Sequence, residues 1–390
     1  MSTHTITMSA QEFMAEAGRR TGITALKDAD IEESLTRLLV SLNTEAQLSE
    51  AGAFGIQRLI LRVLGNRLRM LRDLRRYPEI HDQQIVRPLI VAPGPRSGST
   101  KLHKLLAAGG DFLYLTCWQG LNPALFTGDP AEDPAPRISD ADGYARWFSE
   151  HSPRSKLIHE YSTLEPEEEN LILEHRLNGV FMMPFLFVPG YMTWYTATFD
   201  FTEDLKYVKQ VIQYLQWQFH RGDTRPWLLK NPMYIGREDK ILEVFPDASI
   251  VTMHRDPVSV VSSGNSLQTY FRQAYSDADY RAGMGLELTE GIGGAWATHM
   301  AVRDRHPEIR YHDIGYTELT QHIEVVIRRL YAHIGLPLKE RSLAAMLRWE
   351  RDNRIHKHGA HTHGLEGHGA SAEFIREKFK PYIDRFKAYF

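Results

Sequence analysis

The sequence predicts an α/β protein of three layers, with a central, mostly parallel sheet between helices and a helical extension at the N-terminus. Three observations carry this. Short apolar runs that suit buried strands recur at "RPLIVAPG" from 87, "FLYLT" from 112, "WLLK" from 227, "SIVTMH" from 249 and "IRYHDI" from 309. They alternate with longer helical patterns, such as 203–220 and 322–334, and alternation of this kind favours parallel strands joined by helical crossovers. The first run leads through a glycine-containing loop into "KLHKLLAAG", an arrangement that points backbone N–H groups and a helix N-terminus at an anion.

Taken in order, residues 30–42 place Ile31, Leu35, Leu38, Leu39 and Leu42 at helical spacing, with Asp30 and Glu33 as an N-terminal capping pair. A second helical pattern, from Phe54 to Arg76, carries seven arginines; its leucines already supply a core stripe, so the arginines are expected on a solvated or partner-facing surface. Pro78 and "EIHDQQ" separate this helical arm, residues 1–85, from an α/β domain over 86–390. Loops are expected at 128–140, which holds Pro130, Pro134 and Pro136, and in the histidine-rich stretch from 356. The segment "SAEFIREKFKPYIDRF" returns to a helical pattern.

Composition narrows the function. With 43% hydrophobic and 24% charged residues the chain can bury a sizeable core. A formal charge of -3 removes the broad electrostatic argument for a nucleic-acid partner. The single cysteine, Cys117, excludes an internal disulfide framework and a thiolate metal cluster, which suits a cytoplasmic setting. No apolar run reaches the length of a membrane span; "GVFMMPFLFVPGYM" is short and broken by Pro184 and Pro189.

The loop "APGPRSGSTKL" departs from the nucleotide-triphosphate loop: three residues separate Gly94 from Gly98, and Lys101 follows the Ser-Thr pair instead of preceding it. Phosphate or sulfate remains its natural ligand, with Arg96 able to pair with oxygens and Ser97, Ser99 and Thr100 adding hydroxyls around Gly98. The tripeptide "HRD" at 254–256 is set aside as a kinase signal, because Val261 stands where that motif needs asparagine. Further on, Arg255 ends a strand and Ser263 lies a little over two helical turns beyond it, so the two can grip one phosphate from two sides.

Together "PGPRSGST", "LLKNP" and "HRDPVSVVSS" resemble the PAPS-dependent sulfotransferase family in its bacterial branch, whose fold is P-loop-like. The likeness continues more weakly through "HDIGYTEL" and "FKPYIDRF" to the end of the chain. The resemblance implies that Pro95 to Thr100 cradles the 5'-phosphosulfate of PAPS as co-substrate, that Arg255 and Ser263 hold its 3'-phosphate, and that no metal takes part. It implies that Lys230 both contacts PAPS and, with Arg96, stabilises charge on the departing oxygen. It also implies that Lys357, His358 and His361 close over the nucleotide.

Where bacterial relatives often carry histidine, this chain has Tyr234, a poor base. The base is therefore sought in "IHEYSTLEPEEEN": Glu168 first, then His159 and Glu167. Glutamates at a helix start are also what the helix dipole favours. The implied reaction moves a sulfuryl group from PAPS to a hydroxyl or amine of a small acceptor, which the Met- and aromatic-rich stretch 180–201 would line with apolar surface. A homo-oligomer is compatible with these features. The alternatives are a nucleotide-dependent kinase or other P-loop transferase, and a PAPS-binding module with impaired catalysis.

Overall fold

The computed structural model describes residues 3–24, 29–159, 161–177, 184–353 and 364–390. Its centre is a five-stranded sheet in the order β2-β3-β1-β4-β5, formed by Leu89–Val91 (β1), Leu113–Tyr114 (β2), Trp227–Lys230 (β3), Ser249–His254 (β4) and Tyr311–Gly315 (β5). Every pairing is parallel. Four strands fall within the apolar runs and β5 overruns its own by one residue, Gly315, as expected where both faces of a parallel sheet are covered.

Successive side chains along a strand face opposite layers. Ile90, Leu229 and Ile250 pack beneath the helices Phe201–Phe219 and Glu238–Val244. Leu89, Val91, Leu228, Val251 and Met253 pack on the other face with Leu102 and Leu105 and with the helices Ile323–Ile334 and Glu340–Asp352. These three layers are the P-loop-like fold.

Ahead of β1 stand α1 (Ala10–Thr21), α2 (Ala29–Thr44) and α3 (Glu50–Arg76). Ser9 and Glu12 form a reciprocal capping box that starts α1, a signal readable in "SAQE". The helix α2 begins at Ala29, so Asp30 lies inside it and is not the cap; Glu33 accepts instead from Arg37 Nε at 3.0 Å, one turn on.

The arginines of α3 correct the expectation of a solvated row. Arg62 pairs with buried Glu174, Arg67 donates to the carbonyl of His175 at 3.1 Å, and Arg72 binds Asp73 at 2.7 Å and the carbonyl of Leu125 at 2.6 Å. The physical reason is that α3 is enclosed on more than its leucine face. It packs on α1, and one hydrophobic cluster joins it to α5 (Cys117–Leu121) and α6 (Ala135–His151). Only Arg58, Arg75 and Arg76 of the seven are exposed.

The helix α6 overturns part of the loop expected at 128–140. Pro134 caps it and Pro136 lies in its first turn, where a missing N–H costs no hydrogen bond. At the other end of the chain, Ala372–Lys378 and Lys380–Phe386 are helical as expected and pack on the helix Met284–Arg305.

Gly52 fixes how α3 meets the rest of the molecule: a methyl there would stand 1.9 Å from the carbonyl oxygen of Tyr275. Because backbone must move to relieve that contact, Gly52→Ala is expected to cost about 1–3 kcal/mol. A denaturant midpoint equal to the parent's would contradict this packing.

Candidate active site

The chain leaves β1 toward one edge of the sheet and β4 toward the other, which makes the crevice between their carboxyl ends the switch point where ligands of open α/β sheets bind. Register sets its floor: Val91 is paired with Lys230 on β3 and with Val251 on β4, so β1 and β3 end level and β4 runs three residues further, to His254.

From β1 the chain turns through Gly94–Gly98 into α4 (Ser99–Ala108). Arg96 and Gly98 take left-handed backbone angles, φ 58° and 91°. For Arg96 this is an uncommon conformation that the surroundings must hold. Gly98 has to be glycine on two counts, since a Cβ there would also lie 2.7 Å from the ring of Tyr316; one on Gly94 would lie 2.8 Å from Trp296. The Ser97 hydroxyl donates to the carbonyl of Gly94 at 2.6 Å, so it braces the loop. Gly98 caps α4 without a side-chain hydrogen bond, leaving first-turn N–H groups, beside Ser99 and Thr100, for a ligand. Lys101 turns away and pairs with Glu350 at 2.7 Å.

The second motif meets the first directly. Arg96 Nε donates to Ser263 Oγ at 3.0 Å, and Arg255 Nη1 donates to the carbonyl of Arg96 at 2.9 Å. The Arg255 guanidinium lies over Tyr316, 4.2 Å from the ring centre. Asp256 caps the helix Pro257–Gln273, accepting from the Ser259 N–H at 2.9 Å, and so sets the turn that brings Ser263 round. Burial and the nearby Arg255 lower Arg96 to about 10, against the pull of Glu168.

Lys230 is buried and ion-paired to Glu168. Its backbone N–H donates to Glu169 at 2.9 Å, and Tyr234 OH donates to the same carboxyl at 3.1 Å. Burial pushes Glu169 well above the usual carboxyl range. Tyr234 is thus a buried brace and does not occupy the role of an exposed base. Next along the chain, Glu167 Oε2 lies 3.0 Å from His159 Nε2. Burial alone would raise Glu167, but the attraction of His159, with Lys230 behind it, holds it below the usual range.

Aromatic rings face His159: Tyr161 at 5.0 Å and Phe271 at 6.2 Å between ring centres, with Phe185 stacked on Phe271 at 4.7 Å. The stretch expected to line the acceptor pocket therefore divides. Phe185 joins this wall, Pro189–Thr198 packs against α2, and residues 180–183 lie outside the described residues. Lys357, His358 and His361 also lie outside them. Among the described residues no group of three acidic, histidine or cysteine side chains suits a metal, and no helix is long and apolar enough to cross a membrane.

Trp296, which holds the loop with Tyr316, carried no recognisable sequence signal; Tyr316 and most of the brace under Arg255 fall in stretches of the resemblance, but no role was read for them there. In that brace, buried His254 lies 2.9 Å from Asp313 and 3.2 Å from Tyr382 OH, and Arg303 grips Asp313 at 3.0 and 2.6 Å.

The crevice joins a glycine loop, a helix N-terminus and two arginines, groups whose chemistry suits phosphate or sulfate. Residues 88–340 match the sequence profile of the sulfotransferase family, and the chain belongs to that family. The chain is similar to the crystal structure of sulfotransferase STF9 from Mycobacterium avium, with TM-score 0.82 and 24% identity over 99% of this chain and 98% of that one. It is similar also to that of sulfotransferase STF1 from Mycobacterium tuberculosis H37Rv, with TM-score 0.77 and 22% identity over 96% and 99%. A search of curated proteins finds no match.

Asp313 is held low, to about 2, because the hydrogen bonds from His254 and Arg303 outweigh its burial. A depressed carboxyl contributes stability that is present above its unfolded pKa of about 3.9 and lost as pH falls through the folded value. Asp313→Asn is expected to cost about 3–5 kcal/mol at pH 7, as breaking a buried pair does, and to flatten the loss of stability between about pH 4 and 2. Identical acid unfolding curves would contradict the assignment.

Proposed function

We propose that this sulfotransferase takes its sulfuryl group from PAPS and delivers it to a hydroxyl or amine of a small, apolar or aromatic acceptor. The observation that carries the reading is the meeting of two anion-binding corners, where Arg96 touches Ser263 and Arg255 touches the Arg96 carbonyl. PAPS carries two such groups, a 5'-phosphosulfate and a 3'-phosphate. In this reading the Pro95–Thr100 loop and α4 hold the first, and Arg255 with Ser263 holds the second. Residues 86–390 carry the reaction and 1–85 form its helical extension. Lys357, His358 and His361 are assigned to cover the nucleotide on sequence resemblance alone.

Lys230 and Arg96 stabilise the charge left on the phosphate oxygen as the sulfur–oxygen bond breaks. In a water-poor crevice such fixed cations are worth more than in solution. The acceptor proton must leave as its oxygen bonds to sulfur, and here the geometry reorders the candidates. Glu168 is held by the Lys230 ammonium. His159 is oriented by Glu167 through Nε2, and its Nδ1 makes no hydrogen bond to any described residue. His159 is therefore the base, Glu167 its orienting partner, and Glu168 the counter-ion that keeps Lys230 in place. The rings of Tyr161, Phe271 and Phe185 beside His159 favour an aromatic acceptor.

The direct test is turnover of radiolabelled PAPS with a panel of phenols, alkyl alcohols and amines; phenols are expected to be the best acceptors. Lys230→Ala should lower the single-turnover rate about 100 to 1000-fold, and a normal rate would remove its electrostatic role. His159→Ala should lower it about 100 to 10,000-fold with PAPS affinity retained, whereas a larger loss in Glu168→Gln than in His159→Ala would return the base to Glu168. Arg255→Ala should weaken adenosine 3',5'-bisphosphate at least tenfold and 5'-AMP little; an equal effect on both would detach Arg255 from the 3'-phosphate.

A further inference from the structure

A second cavity, of about 290 Å3, lies between α1, α3 and α6 and is lined by none of the residues assigned above. Four guanidinium groups reach it, from Arg20, Arg58, Arg62 and Arg69. Arg20 is neutralised by Glu16 at 2.6 Å and Arg62 by Glu174. Arg58 and Arg69 form no ion pair with any described residue and instead lie over the rings of Phe54 and Phe126, 5.8 and 4.3 Å from their centres. The lining holds one carboxylate, Asp140, which already accepts a hydrogen bond from Asn122 at 2.9 Å. The cavity therefore has an excess of positive charge.

Its donors are also unsatisfied. The Arg62 side chain is 9% exposed, yet among the described residues its Nε and Nη1 have no hydrogen-bond partner, and Nε of Arg69 has none either. Buried donors left unpaired are costly, and those on a charged group most of all. A planar oxyanion is the group that matches guanidinium forks. The remaining wall is aromatic: the Arg62 guanidinium lies 4.3 Å from the ring centre of Tyr144, and Trp147 is seated so closely on α3 that a Cβ on Gly55 would come within 2.2 Å of it.

The geometry points to a second ligand site, distinct from the transfer crevice, that binds a small aromatic oxyanion: one ring bearing a carboxylate or sulfate. The head group pairs with Arg58 and Arg69, with Arg62 already held by Glu174, and the ring lies along Tyr144 and Trp147. The volume admits a single substituted ring. A metal cation is disfavoured by the charge. This inference stands whatever the sulfuryl donor proves to be.

Calorimetric titration of the full chain with 4-nitrobenzoate tests it, with the transfer crevice first filled by saturating adenosine 3',5'-bisphosphate. One binding event is expected, weakened at least tenfold by the paired change Arg58→Gln and Arg69→Gln and retained in His159→Ala. Asp140→Asn, which removes the opposing carboxylate, should tighten it, an outcome that misfolding cannot produce. Absence of binding would overturn the site, as would equal affinity for neutral nitrobenzene or for inorganic sulfate. Loss of binding in His159→Ala but not in the arginine pair would move the anion to the transfer crevice and also overturn it.

Discussion

The parallel register of β3, β1 and β4 is the constraint on which the site depends. With Val91 opposite both Lys230 and Val251, the buried lysine and the start of the glycine loop stand level, and β4 runs three residues further to bring Arg255 over the loop. A one-residue slip would turn each of those side chains to the other face of the sheet. The loop adds little reach of its own. Its function is to fit Arg96 into a left-handed turn between Trp296 and Tyr316, where glycine at 94 and 98 leaves room for the rings.

Charge is gathered in this crevice at a cost that the fold offsets locally. Lys230 and Glu168 neutralise one another, Glu167 and His159 form a second pair, and Glu169 is held by a backbone N–H and by Tyr234. Buried pairs of this kind add little net stability, but losing one partner is expensive, so the arrangement favours a single geometry. The same principle operates under Arg255, where His254, Asp313 and Arg303 fix the end of β4. The side chains of the crevice are thus held by partners within the protein itself.

Much of this was legible in the sequence because the signals were local. Strands buried on both faces read as apolar runs, and all five were found; the glycine loop and the Arg255–Ser263 spacing pointed to two stretches that meet in the fold. What failed depended on tertiary neighbours. Seven arginines on one helix look solvated until Glu174, Asp73 and backbone carbonyls come to meet them. Prolines at 134 and 136 suggest a loop, yet at a helix start they cost nothing. Trp296 and Tyr316 lie some 200 residues beyond the loop they support and left no periodic trace. Nor can sequence show that Glu168 is paired with Lys230 and Glu167 with His159, the pairings on which the proposed order of base candidates rests.

In the proposed reading the crevice recognises a nucleotide carrying phosphate on both the 3' and the 5' oxygen of its ribose. The most direct measurement is calorimetric titration of the unmodified protein with adenosine 3',5'-bisphosphate beside 5'-AMP. The account predicts that the bisphosphate binds at least tenfold more tightly. Equal affinity, or no binding of either, would contradict it and leave the Gly94–Gly98 loop holding some other anion.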